Sequence, residues 1–141
     1  QDGEMLAARD RLLYLMEYYP ESKTYKDAKR IVGEVNLDLL LSRIPIEGKG
    51  EHIVQRGEAL VTIARRNKTT IDYIMRANGK NTALIYPDEV ITVFPLEYTT
   101  EIDLEKKKLT VRDGEKFFKE YDILDTNLPE GLSAPVSCPA R

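Results

Sequence analysis

The sequence predicts an α+β chain in three parts: an N-terminal helical hairpin, a compact βααβ module and a C-terminal antiparallel β-meander. Three observations carry that prediction. Apolar residues recur at spacings of three and four over residues 4–44. Residues 52–93 read as strand, helix, helix, strand. Beyond residue 97 the apolar period changes to alternation, which belongs to strands. The boundaries that follow are 1–45 for the hairpin, 46–51 for a linker, 52–95 for the module, 97–124 for the meander and 125–141 for a proline-containing tail.

In the hairpin, Met5, Ala8, Leu12, Leu15, Met16 and Tyr19 make one apolar stripe. Pro20 ends that helix because it cannot continue the hydrogen-bond ladder. Ser22 or Thr24 is placed to cap the next helix, whose stripe is Tyr25, Ala28, Ile31, Val32, Val35 and Leu39. Pro45 and the Gly48-Lys49-Gly50 stretch close it. The Tyr19-Pro20-Glu21-Ser22 turn, with the small Ala28, resembles a tetratricopeptide-type repeat. One such repeat leaves an apolar side open, since arrays need about three. That side is expected to meet the rest of the chain, a second copy or a protein partner.

The module opens on the strand His52-Ile53-Val54-Gln55 and turns at Arg56-Gly57. A first helix follows with Leu60, Ile63 and Ala64 inward, then a second, capped near Thr69 or Thr70, with Ile71, Ile74, Met75 and Ala77. Asn78-Gly79 stops it, and a loop through Leu84-Ile85-Tyr86-Pro87 leads to the strand Val90-Ile91-Thr92-Val93-Phe94. The fixed spacing of these segments resembles the LysM family. That resemblance implies binding of the N-acetylglucosamine backbone of peptidoglycan or chitin, in a shallow groove between two loops. The loops map to Gly57, Glu58, Ala59 and Leu60, and to Asn78, Gly79, Leu84, Ile85, Tyr86 and Pro87. Leu60, Leu84 and Tyr86 are then expected to cover apolar sugar faces.

Three positions depart from the family's pattern. Glu58-Ala59 stands where Asp-Thr or Asp-Ser is common, Val61 where a polar or aromatic residue is frequent, and Asp88-Glu89 where Gly-Gln usually follows the proline. Each groove residue also has a reading without a ligand. Gly57 lets the chain turn. Glu58 in a first helical turn complements the helix dipole, and Asn78 closes a helix. Tyr86 offers a ring and a hydroxyl to a sugar, or is an ordinary loop residue. Leu60, Ile63, Ile74 and Ile91 fall on core positions.

In the meander, Ile102 and Leu104, then Leu109 and Val111, then Phe117, Tyr121 and Ile123 alternate. Strands are expected near 98–104, 107–112 and 116–123, with Asp113-Gly114 suiting a type I′ turn. Glu105 to Lys108 reads as a solvated turn. An open face and an unpaired edge at 116–123 call for docking on the preceding elements or for dimerisation. Pro129, Pro135 and Pro139 mark the tail as loop or disorder.

The phrase I-D-L-x4-L-T-V-x2-G-x6-Y resembles the opening of bacterial L,D-transpeptidase domains. The cysteine nucleophile of those enzymes needs a base or positive neighbour, and Ser137-Cys138-Pro139 lacks both the glycine and the histidine of that motif. No catalysis is expected. The alternative is a non-catalytic front part of a larger L,D-transpeptidase.

Composition narrows the rest. The 141 residues are 42% hydrophobic and 32% charged, and the net charge of −3 argues against a nucleic-acid partner. Apolar runs are too short to span a membrane. One cysteine and one histidine exclude an internal disulfide and a Cys/His zinc site, so no metal or cofactor is expected. The chain opens on Gln1, not Met, and carries no secretory signal, so a processed or an engineered N-terminus is expected and an envelope destination stays open. The expectation is a periplasmic, cell-envelope or secreted bacterial protein that binds peptidoglycan or N-acetylglucosamine oligomers, with a possible protein partner at the hairpin.

Overall fold

The structure, a computed structural model, describes residues 2–125 and 136–139. The elements run α1 (Asp2–Tyr18), α2 (Tyr25–Leu41), β1 (Gly50–Ile53), α3 (Leu60–Arg66), α4 (Ile71–Ala77), β2 (Val90–Val93), β3 (Tyr98–Asp103), β4 (Lys108–Asp113), β5 (Lys116–Asp122) and β6 (Val136–Pro139). This is the expected α+β order of helix pair, βααβ region and antiparallel strands. Two compact units form. One joins the chain up to Leu37 to the chain from Glu97; the other, Asp38–Leu96, is inserted in it.

In the discontinuous unit, α1 ends two residues before Pro20, and Thr24 precedes α2 with its carbonyl accepting from Ala28 N–H at 2.9 Å. The buried side of α2 differs from the expected stripe. Ala28 and Val32 are buried as expected, whereas Ile31 is exposed and Asn36 is buried. The cause is a strand. Asn36 Nδ2 donates to Phe118 O at 2.8 Å, Glu34 pairs with Lys119 Nζ at 2.9 Å, and Lys29 pairs with Glu120. Lys119 and Glu120 are consecutive, so their side chains leave opposite faces of the strand. The helix α2 thus holds both side chains and the Phe118 carbonyl that precedes them. A Cβ on Gly33 would sit 3.0 Å from Lys119 Cγ, so the approach is close.

The sheet order is β5-β4-β3-β6, with every neighbour antiparallel. Between Val111 and Arg112 the β4–β5 register shifts: Val111 faces Lys119 and Arg112 faces Phe117, which leaves Phe118 as the extra residue of a bulge. Its carbonyl is the one that Asn36 binds. The three meander strands fall close to their expected ranges. The hairpin turn between β4 and β5 is instead centred on Gly114-Glu115, and only Gly114 has a positive φ, 57°. That is the type II′ pattern, with glycine first, rather than type I′. A second correction concerns the tail: β6 pairs with β3, Thr100 opposite Cys138. Backbone pairing therefore outweighs the proline signal over part of 125–141. The expected tail thiol of Cys138 lies outside the described side chains.

The inserted unit is built on β1 and β2, antiparallel, with Gly50 opposite Val93 and Ile53 opposite Val90. Leu60, Ile63 and Ala64 of α3 and Tyr73, Ile74 and Ala77 of α4 are buried, with Val54, Ile91, Val93 and Phe94. Burying a residue such as Ile63 or Ile74 contributes about 1.5–3 kcal/mol each. Thr70 caps α4, its hydroxyl accepting from Tyr73 N–H at 3.0 Å. Both short helices end in the same two bonds. Lys68 N–H reaches Arg65 O and Thr69 N–H reaches Ala64 O; Gly79 N–H reaches Arg76 O and Lys80 N–H reaches Met75 O. This is a Schellman end in each case. Lys49 Nζ donates to Leu39 O, Ser42 O and Ile44 O at 2.6, 2.7 and 3.1 Å, gathering carbonyls at the end of α2.

Candidate functional site

Two loops of the inserted unit share one construction. Gln55-Arg56-Gly57-Glu58 is a four-residue turn closed by Glu58 N–H to Gln55 O at 3.1 Å, with Gly57 at φ 84°. Tyr86-Pro87-Asp88-Glu89 is closed by Glu89 N–H to Tyr86 O at 3.2 Å, with Asp88 at φ 67°. A positive φ at the third position alone defines type II, which favours glycine there. Gly57 meets that demand, whereas Asp88 carries a side chain into it.

Each turn is then clamped by its own fourth residue. Glu58 Oε2 accepts from Gln55 N–H at 2.9 Å, and Glu89 Oε2 accepts from Tyr86 N–H at 3.1 Å. The second oxygen of each carboxylate meets a cation: Glu58 Oε1 with Arg66 Nη1 at 3.0 Å, Glu89 Oε1 with Lys80 Nζ at 2.5 Å. His52 Nε2 also lies 2.8 Å from Glu58 Oε2. A carboxylate only accepts, so the His52 proton is on Nε2. The Gln55 amide, then the His52 ring, hold the Glu58 carboxyl below the usual carboxylate range. Lys80, then the Tyr86 amide, do the same for Glu89.

Val54 binds the two turns together. Its N–H donates to Glu89 O and its carbonyl accepts from Asp88 N–H, both at 2.9 Å. The loops that the sequence places on a groove are thus side by side, as a continuation of the β1–β2 ladder.

The ten candidate residues divide by exposure. Leu84 and Tyr86 are 58% and 61% exposed, and Gly57, Ala59, Gly79 and Pro87 are exposed as well. Ile85 and Glu58 are half-buried. Leu60, at 3%, is core, so its side chain cannot cover a sugar face; Leu84 and Tyr86 can. Asn78 is buried at 7% and its amide is spent. Asn78 Nδ2 donates to Ile74 O and Thr92 O at 2.8 and 2.9 Å, and its Oδ1 accepts from Thr92 N–H at 2.8 Å. The residue closes α4 and also serves as a one-residue strand partner for β2. Its backbone carbonyl accepts from Arg43 Nη2 at 3.1 Å.

Sequence reasoning passed over His52, Arg66 and Lys80 as partners of the loops; Val61, noted there as a departure from the pattern, is exposed in the first turn of α3. A signal was present: both turns read x-x-x-Glu with the acid three residues after the first amide. Among the described residues no group of three or more His, Cys, Asp or Glu could hold a metal ion. No described helix is long and apolar enough to cross a membrane.

Comparison with known proteins finds a match for this region. Residues 52–94 match the family model described as LysM domain. The match suggests binding of N-acetylglucosamine polymers, peptidoglycan or chitin. Among curated proteins no relative matches. One solved structure, an MoCVNH3 variant (Mo0v) in complex with (N-GlcNAc)4, is 23% identical over 52% of this chain and 54% of that chain, with a TM-score of 0.34. The chain therefore spans about half the length of that structure. At that TM-score the likeness carries no argument about fold or ligand.

Proposed function

With residues 52–94 matched to the LysM family, we propose that this chain is a non-catalytic bacterial cell-wall-binding protein that recognises N-acetylglucosamine-containing glycan, peptidoglycan in the first place. One observation supports this reading most directly. The loops Gln55–Glu58 and Tyr86–Glu89 are fastened side by side through Val54 while Leu84 and Tyr86 stay exposed. Exposed tyrosine and leucine beside rigid backbone suit a sugar, which offers apolar ring faces and acetamido groups together. Backbone groups of the two loops hold the acetamido groups, and Leu84 and Tyr86 cover the faces. No cofactor or metal enters. Periplasm, cell envelope or extracellular space is the corresponding location.

A second reading, the non-catalytic front of a larger L,D-transpeptidase, is favoured by the strands β3 to β5 that follow the module directly. The same loops would then deliver an enzyme to the wall.

The test is a titration of the full chain with chitin oligomers and with cello-oligomers of equal length, followed by amide shifts, together with co-sedimentation with purified sacculi. Individual affinities are expected to be weak, since few contacts must offset the ordering of a flexible sugar. Shifts at Gly57, Ala59, Ile85 and Tyr86 with chitin oligomers alone are the expected result. Silence of those amides at millimolar chitin oligomer would remove the proposal.

A further inference from the structure

We infer that Glu58 and Glu89 are paired positioning residues for glycan binding, acting through the backbone of the two loops rather than by touching sugar. This rests on the glycan-binding reading above and deepens it. The two turns are of one type, carry the acid at the same place, and spend it in the same way. One oxygen of each carboxylate takes the amide of the turn's first residue and the other takes a base. Little of either carboxylate is left for a ligand. Glu58 has its oxygens on the Gln55 amide, His52 and Arg66. Glu89 has them on the Tyr86 amide and Lys80.

The need for a clamp follows from the chemistry of the loops. A type II turn with a free first amide exchanges with other turn forms, and a loop held in its binding form avoids that ordering cost on binding. Asp88 adds a specific demand. It holds a left-handed conformation that L-residues disfavour, and the bond from Tyr86 N–H to Glu89 keeps the turn in that form. Glu58 and Glu89 also belong to the two pairs, Glu58-Ala59 and Asp88-Glu89, with which this chain departs from the LysM pattern at its loops. The departures supply the clamps. Bonds to a charged acceptor are strong enough to set a loop's population.

The groups facing the clamps define their response to pH. Glu58 faces His52 and Arg66; Glu89 faces Lys80, with Arg43 nearby. Both carboxyls are held below their ordinary range, so the clamps are complete above that range and open as pH falls through the lower folded values.

The test uses the full chain with N-acetylglucosamine pentamer and compares the native protein with Glu58→Gln, Glu89→Gln, His52→Gln and the double variant His52→Gln/Glu58→Gln. Amides of Ile74 and Ile91 report that the core is intact. Each glutamine substitution at a clamp is expected to weaken binding about three- to tenfold, because a smaller share of the protein holds the competent loop. In the free protein the Gln55 or Tyr86 amide should exchange faster. His52→Gln should weaken binding in the native chain and add nothing in the Glu58→Gln background, the mark of action through one bond. Binding by the native chain with both clamp variants within twofold of it overturns the inference and leaves the glycan reading standing. So does an affinity loss without faster exchange at Gln55 or Tyr86, which would make the carboxylates direct contacts. A native chain that binds no pentamer removes the glycan reading and the inference together.

Discussion

Replacing Asn78 with alanine should cost the inserted unit most of its stability. The bonds of an antiparallel ladder alternate along the strands. Val54 N–H bonds Glu89 O, so the bonded pairs that continue from it are His52–Ile91 and Gly50–Val93. Thr92 therefore turns both its N–H and its carbonyl away from β1, and the Asn78 amide takes both. Alanine leaves these two buried backbone groups unmatched, at about 1–3 kcal/mol each. Ile74 O is spared, since Asn78 N–H still reaches it at 3.2 Å. The sum is about 2–6 kcal/mol, against roughly 3–9 kcal/mol for a unit of this size. Urea unfolding followed through the amides of Ile74 and Ile91 measures it. Asn78→Asp is the sharper control. It keeps the acceptor for Thr92 N–H but turns a charge toward two carbonyls, so it should destabilise at least as much as alanine and recover partly on acidification. A loss under about 1 kcal/mol for Asn78→Ala, or an aspartate variant as stable as the native chain, would refute the reasoning, because that would mean Thr92 finds water or another partner at no cost.

Three further outcomes follow from the same geometry. Asp88→Gly relieves a left-handed L-residue and should raise the unit's stability by about 0.5–1 kcal/mol, read as a higher Tm. Asn36→Leu leaves the Phe118 carbonyl without its partner and should cost about 1–2 kcal/mol, with faster exchange at the amides of Lys119 and Glu120. Lowering pH should destabilise the inserted unit, since the depressed Glu58 and Glu89 carboxyls contribute fully above the ordinary carboxylate range and lose that contribution as pH drops through their folded values. Acid titration of Glu58→Gln/Glu89→Gln should show a flatter decline than the native chain.

What could be read from the residues depended on how local the signal was. The end of α4 at Asn78-Gly79 and the cap at Thr70 are written in a few adjacent side chains and stand where the spacing put them, while the turn at Gly114 is shifted by one residue. The buried Asn36 is different. It lies outside the apolar stripe of α2, and a carbonyl released by a bulge 82 positions away gives it a reason to be inside. The pairing of β6 with β3 is likewise a backbone event that Pro139 disguises. At the candidate site the two loops that the spacing singled out lie side by side, while Leu60 is core and Asn78 spends its amide on Ile74 and Thr92. Glu58 was read as a groove residue or a helix-dipole partner. The bond that matters runs backwards to Gln55, because a type II turn presents that amide to it.

The inserted arrangement bears on how this chain folds. The α2–β5 contact must close across the whole inserted unit, since Asn36 and Phe118 are 82 residues apart in sequence. For a slack chain the closure entropy rises by about 0.6 kcal/mol for each doubling of the loop. If the residues Asp38–Leu96 fold first, they no longer count as slack, and the effective loop shrinks roughly fourfold, worth about 1.2 kcal/mol. That corresponds to about an eightfold faster closure of the outer unit, given that 1.4 kcal/mol is tenfold in a rate. A variant that disables the small inserted core would then be read out first as slow acquisition of the sheet whose strands follow it in the chain.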